Sequence, residues 1–358
     1  MSNNTQIVSM DDQITLKQAE ESILANRSIK HYLKGSPGIG KTSIAQALEK
    51  ATGYRAFIIP CADIELGDIA MPVIDHENKL TRFYPSERFG LHLGKPIILI
   101  LDEFTKASQS VQNMLHPALE QFRPRVAGAQ LPEGSIVVLT GNLVSDGVGD
   151  NIKAHTRSRV VPIHVRNPTA EQWVAWMVQN GGHPTMLAWA MKYTHAFASY
   201  LDEGQESNEL IFNPKAPTKG YFCPRAGKTA SDILWNKDKV DYETLSACIE
   251  GAVGAPSKES ILQFDRFHTQ MPPWADIINN PMGTPLPTDP GALAVLTFSS
   301  IEKLQHHDEL DSLLKYLERT GEWDAIFSIS LARHKTKSLI AFKNTAFAKW
   351  VAENEDLL

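Results

Sequence analysis

The sequence has 358 residues, 42% hydrophobic and 21% charged, with a formal net charge of −6. That length predicts about two or three domains, and the composition excludes a disordered chain. The acidic balance excludes a global basic field that would draw the chain to nucleic acid or an anionic membrane.

Thr15-Leu-Lys-Gln18 reads as a capping box opening a helix that runs to about Asn26. Ile29–Leu33 reads as a short buried strand, Gly35–Gly40 as a glycine-rich turn, and Thr42–Thr52 as a helix stopped by Gly53. Ala56–Cys61 is a second strand, and Met71–Ile74 with Leu80–Tyr84 form a hairpin about the turn Asp75–Lys79. Ile97–Leu101 is an unbroken apolar strand, which suits a parallel sheet covered on both faces. Ser108–Gln121 is helical with a break near Pro117, and Ile136–Thr140 and Val160–Val165 complete the strands. Strands alternating with helices predict a doubly wound α/β domain over residues 1–165. Beyond Asn167, Thr169–Tyr200 and Ala230–Glu250 read as helices around a long polar loop, Asp202–Tyr221. Pro272–Pro290 reads as an extended connector, and helices follow to the end, with Leu310, Leu313, Leu314 and Leu317 on one face.

The segment Gly35-Ser-Pro-Gly-Ile-Gly40-Lys41-Thr42 fits G-x-x-x-x-G-K-[ST] between a strand and a helix. Glycines let backbone N–H groups turn inward around phosphates, and the following helix presents its positive end to the same anion. The expected ATP cradle is therefore Gly35, Ser36, Pro37, Gly38, Ile39, Gly40, Lys41, Thr42 and Ser43, with Lys41 on the β- and γ-phosphates and Thr42 on Mg²⁺. Gly227-Lys228-Thr229 is a decoy, because Phe222 stands where the first glycine belongs and no strand precedes it. Ile97–Leu101 ends in Asp102-Glu103. Asp102 is placed to hold Mg²⁺ through water, and Glu103 to polarise the attacking water. A third strand ends in Thr140-Gly141-Asn142; taken alone, Gly141-Asn142 reads as a turn, but beside the other motifs Asn142 could meet the γ-phosphate or the water.

No CxxC pair or zinc-spaced Cys/His cluster is present; Cys61, Cys223 and Cys248 are expected as buried or semi-buried thiols in a reducing compartment. His306, His307 and Asp308 read as a solvated helical face. Met1–Asp12 carries no signal pattern and no apolar run near it spans a bilayer, so the expected location is cytoplasmic, with no membrane partner.

Taken together, these residues resemble an AAA+ ATPase, and more narrowly the MoxR-like group with a helix-2 insert, over about residues 12–265. The resemblance implies a P-loop AAA+ doubly wound parallel sheet over 1–165, an α-helical lid over 166–265 and a mostly helical C-terminal extension over 266–358. It makes Asp102-Glu103 the Walker B pair with its catalytic glutamate and Asn142 the sensor-1 residue. It also makes Arg159, with Arg157 as a nearby candidate, the arginine finger, and Arg225 after Cys223-Pro the lid's sensor-2 arginine. The Met71–Tyr84 hairpin resembles the helix-2 insert, and Phe122–Gly134 the hairpin before sensor 1. Asn151–His155 departs from the group's pattern. An arginine supplied by a neighbouring copy implies a closed head-to-tail homo-oligomer, a hexamer by the resemblance.

Three functions are open at this level. The leading one is a ring ATPase that remodels or activates a protein client, with a von Willebrand factor A domain protein among the partners the family suggests. The second is a nucleic-acid motor or loader using Lys79, Arg82, Arg123 and Arg125, which the acidic net charge disfavours. The third is a nucleotide-switched scaffold, which would have no use for Glu103.

Overall fold

The computed structural model describes residues 13–143 and 152–357. Met1–Asp12, and Asn151 of the divergent segment, lie outside the described residues. The chain divides into two compact units, Met1–Asn167 and Pro168–Leu358.

The first unit is built on a parallel sheet. Its strands are β1 (Gln13–Ile14), β2 (His31–Lys34), β3 (Arg55–Pro60), β4 (Ile97–Asp102), β5 (Ile136–Gly141) and β6 (Val161–Val165). Their spatial order is β1-β6-β2-β5-β4-β3, every neighbour pair being parallel. Sequence reading placed the other five strands within two residues and missed β1, which is too short to show a period.

The apolar strands are buried on both faces. Ile98, Ile100, Ile136 and Val138 enter one cluster with Leu33, Ile44, Ala45 and Leu48. Leu99, Leu101, Val137 and Leu139 enter the other with Tyr32, Ile59, Phe89 and Phe104. Alternate side chains of one strand thus feed two cores, so a buried parallel strand reads as continuous hydrophobicity. Each such Ile or Leu contributes roughly 1.5–3 kcal/mol on burial.

Helix Leu16–Ala25 opens on the expected capping box: Gln18 N donates to Thr15 Oγ1 at 3.1 Å, and Thr15 N to Gln18 Oε1 at 2.9 Å. Helix Ile44–Thr52 stops at Gly53, whose φ of 72° suits a residue without Cβ. The expected hairpin forms from Ala70–Asp75 and Leu80–Pro85, antiparallel. The second, Arg125–Val126 with Ala129–Gln130, has strands of two residues.

The second unit is helical among its described residues. Ala170–Gln179 and Pro184–Lys192 are followed, after a long loop, by Pro224–Leu234, Tyr242–Val253 and Ala255–Arg266. Helices continue from Pro290–Lys303 through Glu309–Leu317 and Glu322–Arg333 to Thr345–Glu353. One buried cluster runs from Ala170 to Phe347, and helix Pro290–Lys303 packs on Pro184–Lys192. The expected lid–extension line at 265/266 falls inside this unit.

Three expectations here need correction. The connector Pro272–Pro290 contains a helix, Trp274–Asn279, because its prolines flank a proline-free window and Ile277 is buried. His306, His307 and Asp308 lie ahead of helix Glu309–Leu317 rather than on it, and His307 Nδ1 pairs with Asp308 Oδ1 at 3.0 Å. Cys61 is buried and Cys223 half-buried, but Cys248 is exposed. No helix among the described residues is long and apolar enough to cross a membrane.

Candidate nucleotide site

The loop after β2 folds as the glycines require. A Cβ on Gly35 would stand 2.6 Å from both Ile39 Cδ1 and Val165 O, and Gly38 and Gly40 have φ of 77° and 97°. Lys41–Ser43 form a 3₁₀ turn that runs into helix Ile44–Thr52, and Ser43 Oγ donates to Gly40 O at 2.6 Å. The Lys41 ammonium is buried at the centre. It donates to Gly35 O at 2.8 Å, Ser36 O at 2.9 Å and Asn142 Oδ1 at 3.0 Å.

β2, β4 and β5 are parallel neighbours, so their C-terminal ends deliver the site residues to one edge. Thr42 Oγ1 donates to Asp102 Oδ1 at 3.0 Å, and Thr140 Oγ1 also hydrogen-bonds Asp102 Oδ1. Glu103 leaves the strand in a left-handed conformation, φ 50° and ψ 42°, and its N–H donates to Thr140 Oγ1 at 3.0 Å. Such a backbone at a side-chain-bearing residue is strained by roughly 1–3 kcal/mol and persists where surroundings hold it. The Glu103 carboxylate accepts from Lys106 Nζ at 2.8 Å and faces Asn142 Nδ2 at 3.4 Å. Asn142 therefore links the cradle lysine to the second acid. Beside Asp102, burial and then the carboxylate's charge push the Cys61 thiol up to about 12, which leaves it inert.

Lys41, Thr42, Asp102, Glu103 and Asn142 thus stand together, as the motifs predict. The two candidate finger arginines do not join them in hydrogen bonding. Arg157 ends the short helix Ala154–Arg157 and Arg159 follows it; both are exposed. The chain there enters β6 at Val161, paired with His31 at the start of β2, whereas the phosphate loop leaves β2 from Lys34. Arg159 Nη1 donates to His155 O at 2.8 Å, and the His155 ring lies 4.7 Å from that of His116. Burial, then the charges of Arg159 and His155, hold His116 below the ordinary imidazole range. Burial, then the charge of Arg157, lowers Lys34. In the second unit, Arg225 stands exposed in the first turn of helix Pro224–Leu234, after the capping Cys223.

The decoy Gly227-Lys228-Thr229 lies in the same helix: Gly227 makes room for Phe222 and Trp173, and Lys228 pairs with Asp232. Two site residues escaped sequence reading, Lys106 and Thr140. Lys106 lies three residues past Glu103 in a 3₁₀ turn, and Thr140 is the polar residue near the end of an apolar strand.

Folding also gathers His183, Asp265 and His268 within 4.8 Å, a set no sequence spacing reveals. Its polar bonds are already made. Thr185 N donates to His183 Nδ1 at 3.2 Å; Thr185 Oγ1 bonds Asp265 Oδ1 at 3.1 Å and His268 Nε2 at 3.0 Å; Lys237 Nζ reaches Asp265 Oδ1 at 2.7 Å. The lone pair of His183 Nδ1 is taken and the carboxylate has its cation, so the cluster is the cap of helix Pro184–Lys192 rather than an open coordination sphere.

No curated protein matches the chain. Among solved structures it is similar to Hsp104 in its closed state with ATPγS and FITC casein, at 17% identity, a TM-score of 0.33 and coverage of 45% of this chain and 33% of that one. The chain thus spans about a third of the length of that structure. It is also similar to the Thermotoga maritima RuvB Holliday junction branch migration motor (15% identity, 85% of each chain, TM-score 0.33). A third similarity is to Brucella abortus NtrX in complex with ADP (13% identity, 96% of this chain and 67% of that one, TM-score 0.38). The AAA domain (dynein-related subfamily) family matches residues 31–160. That match opens on the strand carrying the phosphate loop and ends at the threshold of the last strand, and it makes this stretch an AAA+ domain.

Proposed function

We propose that the chain hydrolyses MgATP as a ring of copies, in the manner of the MoxR-like group, and uses the energy to remodel or activate a protein partner. The observation that carries the partner class is the hairpin Ala70–Pro85. Met71 and Ile74 are 65% and 64% exposed, and Phe83 and Tyr84 are also more than half exposed, an apolar surface of the kind that receives protein segments. The basic residues that would favour nucleic acid are partly neutralised within the chain. Arg82 pairs with Asp75 at 3.1 Å and Arg125 with Glu120 at 3.3 Å.

The donor set fits the metal. Thr42 Oγ1 and Asp102 Oδ1 are hard oxygen donors 3.0 Å apart beside the phosphate loop; Thr42 would hold Mg²⁺ by its hydroxyl and Asp102 through water. When bound, Mg²⁺ would neutralise phosphate charge as the bond to the leaving ADP breaks. Lys41 exchanges hydrogen bonds to the loop carbonyls for phosphate oxygens, and the loop's N–H groups hold the anion. Glu103 takes a proton from the attacking water, and Asn142 holds that carboxylate against the γ-phosphate end of Lys41. Arg159, or Arg157 beside it, is exposed and serves a neighbouring copy's site, where such a charge contributes about 10³–10⁵ in rate. Arg225 is assigned to the γ-phosphate as the sensor of the helical unit.

The test is affinity capture with Glu103→Gln and ATP. The variant is expected to bind ATP, to hold a ring by mass photometry and to retain a protein client that ADP releases. A monomer with ATP bound, or salt-sensitive stimulation of the parent by DNA, would overturn the reading.

A further inference from the structure

β5 reads Ile136-Val-Val-Leu-Thr-Gly141, and Thr140 is the polar side chain in it, 1% exposed. A buried hydroxyl without partners is unfavourable by roughly 1–3 kcal/mol, and a valine of the same shape would fit the apolar strand. The hydroxyl is fully used. It donates to Asp102 Oδ1 and accepts the N–H of Glu103 at 3.0 Å. The pairing of β4 with β5 ends at Leu101 opposite Leu139. Beyond that point the side chain of Thr140 takes over from the backbone ladder. One oxygen therefore fixes both acids: the carboxylate of Asp102, which also holds Thr42 at 3.0 Å, and the left-handed backbone from which the Glu103 side chain springs.

We infer that Thr140 is a positioning residue for ATP hydrolysis. Its hydroxyl locks the metal-side carboxylate and the water-side carboxylate into one rigid unit, so neither can be set without the other. This rests on the roles proposed above for Asp102 and Glu103. A side chain released from this lock shifts by about an ångström, a displacement that lowers rate on the order of 10²-fold while leaving ground-state binding largely intact.

The experiment uses the full chain and Thr140→Val, with Thr140→Ser as the rescuing variant and Glu103→Gln as the control. Affinity for a fluorescent N-methylanthraniloyl ATP is read with EDTA and with Mg²⁺, and kcat and KM are normalised to nucleotide-binding sites. For Thr140→Val we expect affinity in EDTA within twofold of the parent, a smaller gain in affinity on adding Mg²⁺, and kcat lowered at least about 30-fold with KM little changed. Thr140→Ser, which keeps the oxygen, is expected within about threefold of the parent in every reading. A parent-like kcat per binding site in the valine form overturns the inference, and so does a serine form as slow as the valine form. If the valine form does not fold, Thr140→Cys, a poor hydrogen-bond donor of similar volume, is read by the same criteria. A Glu103→Gln form that turns over like the parent defeats the site assignment itself, whereas an inert Glu103→Gln beside an active Thr140→Val defeats only the role of Thr140.

Discussion

Gly35→Ala tests how tightly the phosphate loop is built into the sheet. The added methyl group would sit 2.6 Å from Ile39 Cδ1 and 2.6 Å from Val165 O, where ordinary carbon contacts begin at roughly 3.5 Å. The isoleucine tip can turn away. The Val165 carbonyl cannot, because β6 is held between β1 and β2. Overpacking of this kind is destabilising by about 1–3 kcal/mol, which for a unit of this size lowers the melting temperature by roughly 2–12 °C. The same shift moves Gly35 O, which accepts from Lys41 at 2.8 Å, so ATP affinity should fall at least about tenfold, or 1.4 kcal/mol. Scanning calorimetry and equilibrium nucleotide binding read the two effects. Adding Ile39→Val removes the Cδ1 clash alone and is expected to recover neither. A Gly35→Ala form melting within a degree of the parent and binding ATP within twofold would refute the reasoning, as would full recovery in the double variant.

Other outcomes follow from the same geometry. Lys41→Ala should lower ATP affinity itself, whereas Arg159→Ala should spare binding and abolish turnover; mixing Arg159→Ala with Glu103→Gln subunits should restore part of the activity if the arginine acts between copies, and fluorescence binding with phosphate release checks both. Burial brings His183 down to about 3, with the charges of His268 and Lys237 adding to the fall and Asp265 opposing it. The unfolded chain therefore takes up the proton first, and the stability that neutral His183 confers is present above about pH 6.5 and lost as pH falls toward 3. The second unit should lose about 2 kcal/mol between pH 7 and pH 5 from this group, or roughly 4–8 °C. All seven tryptophans lie in that unit, so their emission follows it, and His183→Asn, which can still cap the helix, should melt with a visibly flatter pH profile. An unchanged profile would place the acid sensitivity elsewhere. Replacing Ile74 and Phe83 together by Ser on the exposed hairpin should leave melting and basal ATPase within error and abolish retention of the client, as pull-down with the ATP-bound trap would report.

What was legible in the sequence was local. Gly35–Thr42 declares itself because every residue the cradle needs is contiguous, and Asp102-Glu103 because the apolar run before them fixes where a strand ends. The helix start at Thr15 was readable because its capping partners lie three residues apart. What escaped reading depends on long-range pairing. The bond of Thr140 to Asp102 joins residues 38 apart, and the contact of Thr185 with His268 joins residues 83 apart. β1 escaped because two residues have no periodicity, and helix Trp274–Asn279 because prolines on either side masked the window between them. Lys106 was passed over because a charged residue after a strand reads as solvated loop until the turn at Phe104–Lys106 brings it back to Glu103.

The two-core strand β4 carries one more consequence. Ile98 and Ile100 point toward the cluster that contains the phosphate-loop helix, and Asp102 continues their parity, which is why Asp102 rather than Glu103 meets Thr42. Thr140 shares that face through Ile136 and Val138. Deleting a single residue within Ile97–Leu101, with the start of the strand kept in register, would send every side chain after the deletion to the other face and offer Glu103 to Thr42 in place of Asp102. The order of the two acids is therefore fixed by the same odd–even count that fills the cores, and a reading-frame-preserving slip in this strand would strike folding and chemistry in one event.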